Sequence, residues 1–341
     1  MRLATWHIAL SRDGPGLLLR DIVKGEDAEI ARALRTISEA QPDVLLLTGI
    51  DSDPGGATAR GLQDALADIG WPLPHAFAPA SNAGLPTALD LDGDGRTGTA
   101  RDAQGYGRFR GDGAMLLLSR LPLEANRAAD LSGVLWRDLP GAQLPTEADG
   151  APFPSASAQE VQRLSSTGHW VVPLTLPNGA PLTIFAYAAT PPVFDGPEDR
   201  NGLRNADETR AWLGLLDGTL GLIPPETFAI LGRANLDPVD GDGRHAAIRA
   251  LLSDPRVQDP APESPESATA ADPEHAGDPA LDTADWRSVA EGGPGNLRVD
   301  YVLPSATLAV RDAGVLWPSR ESGSDTGASQ HGLVWVDVAL P

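Results

Sequence analysis

Short apolar runs recur along the chain, and the segments between them are long enough to hold helices. The runs cover residues 43–48, 113–119, 182–187, 228–232, 298–303 and 333–338, are rich in Val, Ile and Leu, and are bounded by Gly, Pro or charged residues. Runs of this length with these flanks predict buried strands. Arg2 to Leu10 alternates in part and reads as a first strand. Between the runs the period changes. Glu26 to Ala40 places Ile30, Ala33, Leu34 and Ile37 on one face, and Ala57 to Ile69 does the same with Leu62, Leu66 and Ile69. Both spacings predict amphipathic helices, and a third is expected near Asn205 to Leu216. Strands alternating with helices predict a layered α/β fold. The stretches near 78–112, 124–160 and 254–296 carry Pro, Ala, Asp and Glu without a clear period. They read as long loops of a single domain spanning 1–341, the last of them a mobile loop or lid.

Composition narrows the partners. The 341 residues are 41% hydrophobic, enough for a sizeable core. With 26 basic against 47 acidic residues the net charge is −21, a surface that repels polyanions and disfavours nucleic acid as a partner. Cysteine is absent, so disulfides, thiolate zinc and thiol catalysis are excluded. The apolar runs fall far short of the roughly 20 residues of a membrane helix. No signal peptide is read at the start, although a mature form with its leader removed has the same look. A monomer is expected.

Two stretches carry candidate chemistry. From Phe228 to Gly232 a strand ends, and Asn235, Asp237 and Pro238 follow, which delivers polar groups to the edge of a sheet. The other is Asp90-Leu-Asp-Gly-Asp-Gly95. Asp90, Asp92 and Asp94 stand at alternate positions with a glycine at the sixth, as in the first half of an EF-hand loop. Arg96 offers a backbone carbonyl. The twelfth position is Arg101, so Asp102 or a distant residue is needed to complete the shell. The expected ion is a structural Ca2+ of weak affinity, which suits a periplasmic or extracellular setting.

Several segments together resemble the endonuclease/exonuclease/phosphatase family. Thr5-Trp-His7 stands where the family has Thr-x-Asn, and Pro42-Asp-Val-Leu-Leu-Leu47 runs toward Gly49 in the place of a metal-binding Glu. Gly113-Ala-Met-Leu-Leu-Leu-Ser-Arg120 is similar to a family strand, and aligning on Thr190-Pro-Pro192 puts Ala188 in the place of a phosphate-binding His. Gly232-Arg-Ala-Asn235 resembles Gly-Asp-x-Asn, Arg298-Val-Asp-Tyr301 keeps the family acid, and Gly327 to Asp337 holds Ser329-Gln330-His331 in place of Ser-Asp-His. His169-Trp170-Val171 replaces a His-Trp-Asp.

The resemblance implies a four-layer α/β sandwich: two mostly antiparallel sheets flanked by helices. It also implies a phosphoesterase that uses Mg2+ or Mn2+. Asn235, Asp300 and His331 are kept, whereas His7, Gly49, Ala188, Arg233 and Gln330 are substituted. The expectation is therefore a pseudoenzyme with a degenerate metal site, inactive or very weak, that binds a small phosphoester, another anion or a partner. The alternative is an active phosphoester hydrolase with rearranged ligands: Asp51, Asp53, Asp300 and the acidic loop, with His331 as base. Zinc between His7 and His331 is a further reading, as is anion capture by Arg233. The structural readings are Asn235 as a turn residue, Asp300 paired with Arg233 or Arg298, and His7 and His331 as core histidines.

Overall fold

The computed structural model describes residues 1–318 and 329–340. Its strands in chain order are β1 (Arg2–His7), β2 (Val44–Ile50), β3 (His75–Phe77), β4 (Ala114–Ser119), β5 (Ala129–Asp130), β6 (His169–Thr175), β7 (Pro181–Ala188), β8 (Phe228–Arg233), β9 (Ala284–Asp285), β10 (Asn296–Leu297), β11 (Asp300–Pro304), β12 (Ala309–Leu316) and β13 (Leu333–Ala339). The helices are α1 (Leu17–Lys24), α2 (Ala28–Ala40), α3 (Ala57–Asp68), α4 (Ala156–Val161), α5 (Arg200–Leu216), α6 (Ala246–Leu252) and α7 (Pro265–Thr269). One sheet has the order β12-β13-β1-β2-β4-β3 and the other β11-β8-β7-β6-β5. Only β1–β2 and β7–β8 pair in parallel within these two sheets; their other ladders are antiparallel.

Side-chain alternation builds the layers. Leu3, Leu46 and Leu117 from one sheet meet Val172, Ile184 and Leu231 from the other in a core between the sheets. Their neighbours in sequence, Ala4, Leu45, Leu47 and Leu118, point the other way and pack with Ile37, Leu62 and Leu66 of α2 and α3. On the far side Phe185, Tyr187 and Ile230 pack with Trp212 and Ile248 of α5 and α6. Phe185 stacks between Trp212 and Phe228 at 5.2 and 4.9 Å. Helices, sheet, sheet and helices form the expected four layers. The runs read as continuously apolar because both faces of these strands are covered.

Three expectations need adjusting. The first strand ends at His7, because Ile8 and Leu10 leave the ladder to donate to Thr48 and Gly49 carbonyls. Helix α5 starts at Arg200, well before Asn205, since Arg200, Arg204, Asn205, Asp207 and Glu208 are buried on it and mask its apolar period. The segment 254–296 does not stand off as a lid. It holds α7 and the β9–β10 ladder, and Ala284 bridges to His331. The first residues of the segment opened by Gly327 lie outside the described ones.

Candidate functional site

Four strand ends converge at one edge of the sandwich. His7 closes β1 beside Thr48 of β2, and Arg233 closes β8 in register with Ala188 of β7 and Asp300 of β11. His331 lies just before β13, and its ring centroid is 4.6 Å from that of His7. Layer packing alone thus brings together His7, Gly49, Arg233, Asp300 and His331.

His7 and Arg233 make the floor. Arg233 Nη1 lies 3.0 Å from each ring nitrogen of His7, and His7 Nδ1 is also 3.0 Å from Thr48 Oγ1. Burial pushes the His7 pKa well below its usual value, and Arg233 and His331 push it the same way. His7 is therefore a neutral ring at pH 7, able to accept from the guanidinium. Burial also lowers the Arg233 pKa, with Asp300 and Glu208 opposing. No carboxylate among the described residues forms a salt bridge with Arg233, and its buried Nε has no hydrogen-bond partner.

Gly49 and His7 are linked sterically. Gly49 has φ +70°, and a Cβ built there would lie 2.7 Å from His7 Nδ1 and nearer still to Cε1. The imidazole fills the space that a side chain at 49 needs.

Behind the floor, His331 Nδ1 and Asp300 Oδ2 are 2.6 Å apart, and Thr283 Oγ1 donates to the same oxygen at 3.1 Å. Trp286 meets the His331 ring edge-on at 5.1 Å. Asp300 does not pair with Arg233 or Arg298: Arg298 is taken by Asp259, at 2.8 Å for Nη1. Gln330 is exposed, so Asp300 and not residue 330 orients His331. Asn235 lies just past β8 with φ +50°, its amide donating to the Ala189 carbonyl at 2.7 Å. Ala188 is buried in the core between the sheets.

Two of the proposed replacement ligands are held by backbone amides. Asp51 accepts from the Arg12 and Gly113 amides, and Asp53 accepts from Gly55, Ala57 and Thr58 at the start of α3. Neither joins a group of three metal-ligating side chains among the described residues. His169 is a core residue: Nε2 donates to the Glu208 carbonyl at 2.9 Å, and burial lowers its pKa to about 4. Val171 faces the α5 side of its sheet.

A cavity of about 1150 Å3 opens over the floor. Arg108, Arg200 and Arg204 line it together with Arg233. These three were not legible as site residues, although the i, i+4 spacing of Arg200, Arg204 and Glu208 on α5 was the available signal. Arg204 is buried, donates to four backbone carbonyls, and has its pKa lowered to about 10 by burial. Arg200 donates to Gln162 Oε1 at 2.8 Å.

The acidic loop forms one wall of this cavity through Asp92 and Gly93. Carboxylate oxygens of Asp90, Asp92 and Asp102 lie within 4.8 Å of one another. Asp94 and Arg96 do not belong to the group: the Asp94 carboxylate turns back to accept from the Arg96 amide at 2.8 Å. Asp102 is fixed by donors from Leu91 and Thr99. Asp92 has its pKa raised by burial and then by Asp94.

Compared with known families, residues 19–331 match the model of the endonuclease/exonuclease/phosphatase family. The chain belongs to the endonuclease/exonuclease/phosphatase family. Members of this family are usually metal-dependent phosphoesterases. No curated protein matches the sequence. Solved structures share the fold. An endonuclease/exonuclease/phosphatase from Beutenbergia cavernae is 16% identical with a TM-score of 0.55, covering 100% of this chain and 71% of its own. The human Nocturnin catalytic domain is 14% identical with a TM-score of 0.53, covering 99% and 93%. Sphingomyelinase C from Streptomyces griseocarneus is 16% identical with a TM-score of 0.50, covering 100% and 99%. At these identities the likeness concerns the fold. None of the described helices is long and apolar enough to cross a membrane.

Proposed function

We propose that this family member binds a small anion in the cavity through Arg233 and does not hydrolyse phosphoesters by the metal-dependent route of its family. The carrying observation is the Arg233 guanidinium, held on a neutral His7 without an ionic partner among the described residues. A half-buried guanidinium with unused donors fits a phosphate, sulfate or carboxylate oxygen pair. A divalent ion at the floor does not fit. Mg2+ needs several hard oxygen ligands, and here Gly49 offers no side chain, Arg233 brings a positive charge, and Asp300, with Oδ2 engaged by His331 and Thr283, leaves a single free oxygen, Oδ1. The net charge of −21 favours a small ligand over a polyanion. We read Asp90, Asp92 and Asp102 as the holders of this chain's divalent ion, Ca2+, in a structural role.

The Asp300–His331 pair favours a second reading. An imidazole oriented by a carboxylate is suited to general-base chemistry, and a hydrolase with rearranged ligands would use it. Its ligand set is the weak point, because neither Asp51 nor Asp53 joins a group of three metal-ligating side chains among the described residues.

Calorimetric titration with sodium sulfate tests the anion site. The wild-type chain is expected to bind one equivalent. Arg233→Met should weaken binding by about 10- to 150-fold, the range set by roughly 1.5–3 kcal/mol for hydrogen bonds to a charged group. Equal affinity in the two proteins rejects the site.

A further inference from the structure

We infer that Ca2+ at Asp90, Asp92 and Asp102 and an anion in the cavity bind cooperatively, the cation freeing Arg101 from Asp92 and removing the field of Asp92 and Asp102 that opposes the anion. This rests on the anion-binding reading of the same cavity. The cation site has two independent supports. Three carboxylates converge within 4.8 Å. The Asp92 side chain is only 10% exposed, and its buried Oδ1 has no hydrogen-bond donor. A carboxylate oxygen withdrawn from water and left without a donor calls for a cation. Asp90 and Asp102 are locked by backbone amides but keep lone pairs, and Ca2+ accepts a flexible set of oxygens that water completes.

The coupling follows from charge balance across one wall. Arg101 Nη1 is 3.8 Å from Asp92 Oδ2, and it also donates to the Phe194 carbonyl at 3.3 Å. Arg200 is buried and faces the fields of Asp92, Asp195, Glu198 and Asp102. Arg101 and Arg200 both line the cavity that Arg233 floors. Without a cation, Asp92 and Asp102 compensate these two guanidiniums and repel an incoming anion. With Ca2+ bound, those two carboxylates are neutralised, and more of the guanidinium charge facing the cavity is available to an anion, with Asp195 and Glu198 still opposing Arg200. Linkage then requires that the anion tighten Ca2+ by the same factor.

The test is sulfate titration of the full chain in millimolar CaCl2 and in chelator, with Ca2+ titration followed by thermal melting. Sulfate is expected to bind at least about fivefold tighter with Ca2+, the lower end of typical coupling between linked sites. Saturating sulfate should tighten Ca2+ by the same factor. Asp92→Asn should lose the Ca2+ response and, in chelator, bind sulfate more tightly than wild type, because one of the compensating charges is gone. Equal sulfate affinity in both conditions, in protein shown to bind Ca2+, overturns the coupling and leaves the Arg233 reading standing. A wild-type melt unmoved by Ca2+ overturns it as well. Sulfate binding in neither condition removes the Arg233 reading and the coupling with it.

Discussion

Gly49→Glu is expected to destabilise the protein by about 2–6 kcal/mol, and adding His7→Asn is expected to return about 1–3 kcal/mol of that loss. Two separate effects act at position 49. The backbone has φ +70°, a left-handed conformation that costs a residue with a side chain about 1–3 kcal/mol. The new Cβ also meets the His7 ring, 2.7 Å from Nδ1, and overpacking of this kind typically costs about 1–3 kcal/mol more. The shorter Asn side chain relieves the second effect and leaves the first. Denaturant unfolding of Gly49→Glu, His7→Asn and the double variant measures the two parts. Strict additivity would show that His7 does not fill the space of a side chain at 49. In the double variant, Arg233→Asp should add affinity for Mg2+ or Mn2+ beyond wild type, because it replaces a cation with an oxygen ligand.

Asp282→Asn is expected to stabilise the fold by about 4 kcal/mol at pH 8 and to have little effect near pH 4. Asp282 is buried, and its pKa is raised from 3.8 to about 7 by burial, then by Asp237, Asp240 and Asp278. The folded chain therefore holds this proton more tightly than the unfolded chain does. The stability it contributes is complete below 3.8 and is lost as the pH rises through about 7. Asn carries no charge and removes that loss. Paired unfolding curves of the two proteins from pH 4 to pH 8 give the difference. A difference that stays flat across the range would contradict the account of Asp282.

The central strands β2, β4, β7 and β8 were legible because nearly every position in them is buried, whereas β12, with exposed positions along its length, was not. Helix α1 was missed: its short span lies between Gly16 and Gly25, and the flanking turns hide its period. In α5 buried Arg and Glu residues stand where an apolar face is expected, so the helix was expected only from near Asn205. At the site, the sequence order brought out His7, Gly49, Arg233, Asp300 and His331, and the fold gathers them at one edge. What spacing could not reveal is how they share space. That His7 sits over Gly49, and that Asp300 turns to His331 instead of a guanidinium, follow from three-dimensional packing. The acidic loop shows the same limit. Alternate aspartates look equivalent in a motif, yet Asp94 turns back onto its own loop while the distant Asp102 joins Asp90 and Asp92.

The central claim is that Arg233 and His7 have turned a metal-dependent phosphoesterase floor into an anion site. Turnover of nitrophenyl phosphate and bis-nitrophenyl phosphate, each with Mg2+, Mn2+ or Ca2+, tests it most directly. No release of nitrophenol above that of Arg233→Met is expected under the same conditions. Robust metal-dependent turnover that disappears in His331→Ala would contradict it and establish the Asp300–His331 pair as the base of an active hydrolase.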